Sequence, residues 1–453
     1  MSTPGVRRRL ISATYEGGRA KKQLFEDSPI AVYDALPLTE DVADFVARMQ
    51  MSGGNCDSFF VMDACAVDNR LLEWQRELPF VEPFFPISCN DDPILLNLLT
   101  RRGQCHLQAS SLADLERALL LVDPSRITFN CPLLTKKTMR MLSILPAQLH
   151  AVVVGDEKSA MDMAEFCPYQ PLLLRVSLSP ESERVSLSLG VYVEDAEDVM
   201  ERLISKGVAV GGVSMQLQTG DIREDVHRAM IVRGFIASCQ KRFPLGVVDI
   251  GGGFGLPTIR QSAQLLADHM GQFNIKMMAT PGRFFASSAF SLVTSVTGKS
   301  EVDAALFSQE CASPRGFVYQ TNESVYGALG GILGGHSLEC RPLGNHSNSP
   351  HYSSAVLGSA SDPIDIPQRR GRLPSLSVGD WLLWKEAGAY GARDEDGLAV
   401  YYYTQRDHWD RLHGVETGTE EEEGGLLSDG ASDIDSGDDD DDMTPCFYRV
   451  FRD

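Results

Sequence analysis

The chain carries three consecutive glycines, Gly251 to Gly253, directly after the apolar run GVVDI. Glycines leave the backbone N–H groups uncovered, so a glycine loop that follows a strand can approach a phosphate group closely. Arg283 follows the next apolar run and could give the same phosphate a bidentate contact. These residues predict a phosphate-binding loop. A tight turn that binds no ligand is the alternative interpretation.

The ends of the apolar runs offer little other reactive chemistry. An enzyme that uses a phosphate-bearing aldehyde cofactor needs a lysine there, because only a primary amine forms the Schiff base. The run ends supply Ser, Asn, Gln, Thr and Gly, with no lysine, no histidine and no acidic residue except Asp249. The nine histidines show no HxxxH or HExxH spacing, so we expect no metal site.

Eight short apolar runs alternate with helix-period stretches between residues 80 and 281. This alternation is typical of parallel strands joined by helical crossovers. Eight such units in about 200 residues fit a closed (βα)8 TIM-type barrel better than an open sheet. The runs are PFFPIS, QCHLQAS, RITFN, LHAVVVG, PLLLRVS, VAVGGVSM, GVVDIGG and IKMMATP.

After Pro281 the helix period disappears from the sequence. The runs SAFSLVTSV, GFVYQTN, HYSSAVLG, DWLLWKE and AVYYYTQ read as strands separated by Gly, Pro and Ser. They predict a C-terminal antiparallel β domain. We therefore expect an N-terminal segment that joins the β domain (1–56), the barrel (57–285), the β domain (286–412) and an acidic tail (413–453).

The formal net charge of −21 is concentrated near the C-terminal end. Thirteen acidic residues lie between Glu416 and Asp442 without a Lys or Arg, and the rest of the chain carries −8. Such a segment is typical of disorder. The acidic balance argues against nucleic acid or an anionic membrane as a partner. With no ~20-residue apolar span, no signal-like start and ten scattered cysteines, we expect a cytoplasmic protein, with the nucleus as an open second location.

Eight stretches resemble eukaryotic ornithine decarboxylases and their catalytically inactive relatives, the antizyme inhibitors, in order and spacing across residues 57 to 410. The resemblance implies an alanine racemase-like barrel with a C-terminal β domain, pyridoxal phosphate as the family's cofactor, and head-to-tail dimers. The stretches are PFFPISCN (83–90), LLLRVSL (172–178), GVSMQLQTG (212–220), VVDIGGGF (247–254), ATPGRFFASSAF (279–290), NESVYG (322–327), YSSAVLGSASD (352–362) and VGDWLLWKEAGAY (378–390).

The resemblance implies that the phosphate-binding residues are kept while the chemical groups are lost. The phosphate residues match Gly251 to Gly253, Arg283 and Tyr390, and the arginine that faces the cofactor's phenolic oxygen matches Arg175. The lost groups are the Schiff-base lysine (Ser88), the strand-two aspartate (Leu107), the histidine stacked on the cofactor (Gln216), the acid at the pyridine nitrogen (Thr280), the acid at the substrate's distal amine (Gly335) and the partner-subunit cysteine (Ser361).

These losses predict a chain without catalytic residues. Removing one member of a catalytic constellation typically costs about 10³-fold or more in rate, and here several are replaced together. We accordingly expect no cofactor, with pyridoxal phosphate binding at most weak and non-covalent. A decarboxylase with residual or altered activity in putrescine synthesis is the alternative.

In the family, antizyme docks on the barrel around the helix after strand three, which corresponds here to residues 134–165. Lys136, Lys137 and Arg140 form a basic cluster in this stretch, which predicts contact with an acidic partner surface. A solvated helix face is the alternative interpretation. Asp365 matches a dimer-interface aspartate whose lysine partner falls on Ser188, so we expect a monomer or a weak homodimer.

The sequence thus favours an inactive homologue of ornithine decarboxylase that regulates polyamine biosynthesis and uptake by binding antizyme. A scaffold that acts through its tail is a further hypothesis. Ser432 and Ser436 each have an acidic residue three positions later, which is the pattern that acidophilic kinases prefer. An inert, solubilising tail is the alternative to that hypothesis.

Overall fold

The computed structural model describes residues 11–12, 20–25, 28–178, 190–217, 220–243, 245–307, 314–360, 362–391, 397–413 and 446–447. Within these residues the chain forms a parallel barrel, a separate mixed sheet and a small two-stranded sheet. None of the described helices is both long and apolar enough to cross a membrane. Apart from His413, Cys446 and Phe447, the predicted acidic tail lies outside the described residues.

The described strands follow the apolar runs of the sequence closely. They are β1 (Ile11–Ser12), β2 (Ala20–Phe25), β3 (Ser28–Tyr33), β4 (Phe59–Asp63), β5 (Val81–Pro86), β6 (His106–Ala109), β7 (Ile127–Phe129), β8 (Ala151–Val154), β9 (Leu172–Ser177), β10 (Val191–Tyr192), β11 (Gly212–Ser214), β12 (Val247–Asp249), β13 (Lys276–Ala279), β14 (Phe290–Asp303), β15 (Arg315–Thr321), β16 (Glu339–Pro342), β17 (His351–Leu357), β18 (Gln368–Pro374), β19 (Trp381–Lys385), β20 (Ala399–Gln405) and β21 (Cys446–Phe447).

The helices lie mainly between the barrel strands. They are α1 (Thr39–Ser52), α2 (Ala64–Glu77), α3 (Pro93–Thr100), α4 (Leu112–Leu119), α5 (Lys136–Ser143), α6 (Glu157–Phe166), α7 (Val193–Ser205), α8 (Ile222–Cys239), α9 (Ile259–Met270), α10 (Gly282–Ala286) and α11 (Arg406–Leu412).

The eight predicted barrel strands are confirmed, and they close on themselves. Parallel pairs run from β5 through β6, β7, β8, β9, β11 and β12 to β13, which pairs with β5 again. The helix starts explain why the crossovers form where they do. The Asp92 side chain accepts from the first N–H groups of α3, Ser111 and Thr135 cap α4 and α5, and Asp156 forms a capping box with Ser159.

The second sheet is mixed, whereas the sequence predicted an antiparallel one. Most pairs are antiparallel, but β15 runs parallel to β17, and β20 runs parallel to both β3 and β4. These pairs join strands that are distant along the chain, so no hairpin fixes their direction. Strand β4 lies in this sheet, between β14 and β20, although the predicted boundary at residue 57 assigns it to the barrel. The division of the chain into four segments stays a prediction.

The barrel and the mixed sheet meet around the end of β5. The Asn90 amide donates to the Gly388 carbonyl at 2.8 Å, the Tyr390 N–H donates to the Cys89 carbonyl at 2.8 Å, and the Tyr402 hydroxyl donates to Asp92 at 2.8 Å. Gly388 lies so close to the Ala286 carbonyl that no Cβ would fit there. This contact fixes the 387–391 segment against the barrel mouth.

Helix α11 is held against the barrel helices by charged side chains. Arg101 donates to the Leu412 carbonyl, and Arg102 donates to the Arg411 carbonyl at 2.6 Å. These two guanidinium groups therefore satisfy the last carbonyls of the helix and complement its negative end.

His408 of α11 is a buried link to α2. Its Nδ1 lies 2.5 Å from the Thr404 hydroxyl and its Nε2 lies 2.9 Å from the Asp68 carboxylate. Burial alone would lower the pKa of His408, but the hydrogen bond to Asp68 and the contact with Cys65 raise it to about 9. The folded protein therefore holds this imidazole protonated at neutral pH.

We expect the free energy of unfolding to fall as the pH rises. A raised folded-state pKa stabilises the fold fully below the unfolded value of about 6.5, and this contribution is lost as the pH passes through about 9. The loss should amount to about 3 kcal/mol at most. Urea unfolding between pH 6 and 9.5 measures it. His408→Gln should flatten the slope, and an unchanged slope in that variant would contradict the assignment.

Candidate functional site

The strands of the barrel direct every second side chain inward, which selects the residues at its mouth. Phe84, Ala151, Val153, Leu173 and Met278 form a separate buried cluster, with Val247 packed against it. Two residues beyond three of these positions lie Arg175, Asp249 and Thr280. Because the side-chain period of a strand is two, these three residues occupy the next layer toward the mouth.

A cavity of about 280 Å³ opens above this layer. Its size is near the lower end of the range for small-molecule sites, about 300 Å³ and above. Eight of its twelve lining residues are polar, and they include two arginines and one carboxylate, with no lysine or histidine. The lining residues are Asn130, Arg175, Val176, Ser177, Leu178, Ser214, Met215, Gln216, Arg228, Asp249, Gly251 and Thr280.

Asp249 is the buried charge at the centre of the site. Its carboxylate accepts from the Ser214 hydroxyl at 2.7 Å and from the Gly251 N–H at 2.9 Å. Burial raises the pKa of Asp249, and these hydrogen bonds and the charge of Arg175 oppose the shift. Burial likewise lowers the pKa of Arg175, whose guanidinium donates to Asn130 Oδ1 at 2.5 Å. The two charges compensate each other across the cavity.

The glycine loop turns sharply after β12. Gly251 and Gly253 have positive φ angles of 75° and 102°, which favour glycine. A Cβ on Gly252 would lie 2.7 Å from the Thr280 carbonyl oxygen, so this position also excludes a side chain. On its other side, the Gly252 N–H donates to Gln216 Oε1 at 3.2 Å, and Gln216 Nε2 donates to the Gly252 carbonyl at 2.8 Å.

Arg283 and Tyr390 lie together near the end of β5, and neither is among the residues that line the cavity. Both side chains are exposed, and both act on Cys89. Burial raises the pKa of the Cys89 thiol to about 12, and the hydrogen bonding of Tyr390 and the charge of Arg283 oppose this shift. The Tyr390 backbone has a φ of 62°, which positions its ring as the 387–391 segment passes the end of β5.

Four of the six replaced positions lie away from the cavity wall or outside the described residues. Ser88 is exposed in the short helical turn Ile87–Cys89 that follows β5. Leu107 is fully buried in the core cluster shared by strands and helices. Gly335 is exposed, with a φ of 78°, at the end of a turn in the β domain. Ser361 lies outside the described residues. Gln216 and Thr280 line the cavity.

Several residues of the inner layer have no counterpart in the sequence predictions. Gln108 and Thr128 are paired across β6 and β7, and Gln108 Nε2 and Thr128 Oγ1 are buried with no hydrogen-bond partner among the residues that the structure describes. Arg228 reaches the cavity from α8, and its Nε donates to Glu224 Oε1 at 2.9 Å. Strand parity could have identified Gln108 as the inward neighbour of Leu107. Nothing in the helix pattern of α8 distinguishes Arg228.

Two predicted features lie outside the cavity. Lys136, Lys137 and Arg140 are exposed on α5, whose other face buries Thr138, Met139 and Leu142. Asp365 is buried and accepts from the Val325 N–H at 2.8 Å and the Ala360 N–H at 2.7 Å, so it holds a loop within the β domain. Ser188 lies outside the described residues. Across the part of the chain that the structure describes, no three His, Cys, Asp or Glu residues gather as a metal site.

Comparisons with known proteins identify the class to which this fold and glycine loop belong. Residues 65–287 match the family model described as "Pyridoxal-dependent decarboxylase, pyridoxal binding domain". Among solved structures, the arginine decarboxylase of Paramecium bursaria Chlorella virus bound to agmatine has a TM-score of 0.67 at 19% identity. That similarity covers 80% of this chain and 99% of the viral one, and it supports the fold.

Curated relatives narrow the class. The ornithine decarboxylase of Schizosaccharomyces pombe is 29% identical over 363 residues, which cover 76% of this chain and 81% of the relative. "Antizyme inhibitor 2" of Xenopus laevis is 25% identical over 417 residues, which cover 86% of this chain and 89% of the relative. The chain belongs to the family of eukaryotic ornithine decarboxylases and antizyme inhibitors.

The expectation that no cofactor is bound, or that pyridoxal phosphate binds at most weakly and non-covalently, is wrong. The matched family model is that of a pyridoxal binding domain, which points to pyridoxal phosphate as the ligand of this barrel. The mouth of the barrel fits the phosphate group of this ligand. Gly251 and Gly252 keep the loop backbone free of side chains, because a Cβ there would collide with Gln216 or with the Thr280 carbonyl. The exposed Arg283 and Tyr390 lie near the end of β5, where both act on Cys89.

We expect Gly252→Ala to weaken the binding of pyridoxal phosphate by roughly ten-fold or more and to destabilise the fold by about 1–3 kcal/mol. The added methyl group would meet the Thr280 carbonyl, which is backbone and cannot rotate away. Gly255→Ala is the matched control, because its methyl group would meet only the Thr258 and Pro257 side chains, at 3.5 and 3.9 Å. Calorimetric titration and melting curves measure both effects. Equal effects of the two substitutions would contradict a close contact between Gly252 and the Thr280 carbonyl.

Proposed function

We propose that this chain is a non-catalytic member of the family, which regulates polyamine biosynthesis and uptake by binding antizyme in the manner that the name of antizyme inhibitor 2 describes. We further propose that it acts in the cytoplasm, with the nucleus as an open second location, as a monomer or weak homodimer. The observation that carries the proposal is the chemistry of the cavity wall. Its twelve lining residues include no amine and no histidine.

The remaining acid in the cavity does not replace the lost groups. Asp249 accepts hydrogen bonds from Ser214 and Gly251, and Arg175 compensates its charge. Its oxygens therefore hold the strand ends in place. Thr280 offers a hydroxyl where the active relatives have a carboxylate, and a hydroxyl cannot hold a pyridine nitrogen protonated. Ser88 offers a hydroxyl where they have the lysine, and a hydroxyl does not form an imine. These replacements support a loss of turnover, independently of whether the cofactor is bound.

We expect the purified protein, saturated with pyridoxal phosphate, to release no carbon dioxide above background from ornithine, lysine or arginine. The loss of several groups that act as a unit removes at least about 10³-fold of the rate, and the losses do not rescue one another. Capture of labelled carbon dioxide over hours is sensitive enough to decide. An active ornithine decarboxylase in the same assay is the positive control. Saturable turnover of any of the three amino acids would refute the proposal.

The surface around α5 supports antizyme as the partner. Lys136, Lys137 and Arg140 are exposed, and none of the described residues forms an ion pair with them. Leu133, three residues before the helix, and Ile144, immediately after it, are each 72% exposed. Exposed apolar side chains around a basic cluster on an otherwise acidic protein fit an interface with an apolar centre and an acidic partner surface.

We expect the triple substitution of Lys136, Lys137 and Arg140 to Glu to weaken antizyme binding at least ten-fold. Charge reversal would place like charges across the interface and slow association, most strongly at low salt. The matched control reverses Arg223, Arg233 and Lys241, which are also exposed but lie on or just after α8. Surface plasmon resonance with immobilised antizyme measures both variants. No binding of the unaltered protein at micromolar concentration would refute antizyme as the partner.

The alternative is a decarboxylase with residual or altered activity in putrescine synthesis. The opposed Arg175 and Asp249 in the cavity and the match to a pyridoxal binding domain favour it. The turnover assay separates the two proposals. A decarboxylase would turn over substrate, whereas the regulator would bind antizyme without turnover.

A further inference from the structure

The Gln216 carboxamide forms two hydrogen bonds with Gly252. It accepts from the Gly252 N–H at 3.2 Å and donates to the Gly252 carbonyl at 2.8 Å, as a neighbouring strand would do. Its Oε1 also occupies the space in which a Cβ of Gly251 would lie. The side chain therefore covers the glycine loop from the cavity side, and Thr280 closes the opposite side of Gly252.

The N–H groups of the loop are largely committed to partners within the chain. The Gly251 N–H donates to the buried Asp249 carboxylate at 2.9 Å, and the Gly252 N–H donates to Gln216. Asp249 cannot release Gly251 without stranding a buried charge. Gln216 is exposed, so its amide can exchange Gly252 for water at modest cost. The Gly252 N–H is therefore the donor that an incoming phosphate oxygen could acquire.

The backbone of Gln216 is fixed, so that only its side chain has to move. Arg228 donates to the Gln216 carbonyl oxygen at 3.1 Å, and the Leu217 N–H donates to the Ile250 carbonyl at 3.1 Å. Rotation about the side-chain torsions of Gln216 would expose the loop without disturbing β11 or β12.

We propose that Gln216 is an internal competitor for the phosphate loop, which sets the affinity of the barrel for phosphate-bearing ligands. Its carboxamide is hydrogen-bonded to the N–H and the carbonyl of Gly252. A phosphate group accepts from this N–H when the Gln216 side chain rotates away. Each bound phosphate therefore replaces two hydrogen bonds, which corresponds to a roughly ten-fold loss of affinity. This inference concerns ligand affinity and stands independently of antizyme binding and turnover.

Titration calorimetry of the full chain with pyridoxal phosphate and, separately, with inorganic phosphate tests the proposal. Gln216→Ala should bind both probes roughly ten-fold more tightly, because the competing amide is gone. Gln216→Glu should bind both more weakly, since the carboxylate still accepts from Gly252 and repels the phosphate. Gln264→Ala, which removes an exposed glutamine bonded to Asp268 on α9, should change nothing. Melting curves establish that each variant is folded.

The sign of the Gln216→Ala effect decides the outcome. A weaker or unchanged affinity in Gln216→Ala would overturn the proposal, because a glutamine that contacts the ligand would lose affinity on truncation. A gain for pyridoxal phosphate without a gain for inorganic phosphate would also overturn it, since the effect would then lie elsewhere in the cavity. The absence of saturable binding to Gln216→Ala would overturn it as well.

Discussion

A buried carboxylate organises the mouth of the barrel. Asp249 ends β12, receives the Ser214 hydroxyl from β11 and the Gly251 N–H from the loop, and faces Arg175 of β9. A buried charge is tolerated only when it is hydrogen-bonded and compensated. Three neighbouring strand ends are therefore held in one arrangement. The shape of the glycine loop and the cavity beside it depend on this single group.

The second constraint is the contact between the barrel and the mixed sheet. The Gly388 backbone packs directly against the Ala286 carbonyl, with no room for a side chain between them. Asn90 and Tyr390 add hydrogen bonds beside this contact. Through this contact the β domain places Tyr390 near the end of β5. The cavity wall itself is built from barrel residues, and the β domain adds Tyr390 beside it.

The sequence predicted the barrel well because its strands are short, buried and separated by clear helix periods. It predicted the chemistry of single positions less well, for reasons of geometry. In a strand, a residue one position away from an inward-facing residue lies on the opposite face. Leu107 therefore packs in the core between strands and helices, while Gln108 points into the barrel. Ser88 lies in a helical turn after a strand that ends at Pro86, so the inward and outward alternation of the strand does not extend to it, and it does not line the cavity. The parallel pairing of β20 and the reach of Arg228 from α8 depend on long-range packing that no local pattern encodes.

The hydrogen bonds at the C-terminal end of α11 leave its backbone fully paired. Arg101 and Arg102 satisfy the last carbonyls of the helix, and the His413 ring stacks on Trp409. The helix thus ends without an exposed backbone acceptor that a following residue would have to cover. Residue 413 is consequently a natural point of attachment. A charged segment joined there meets a helix end whose carbonyls are already satisfied, so its charge can change without exposing the backbone of α11.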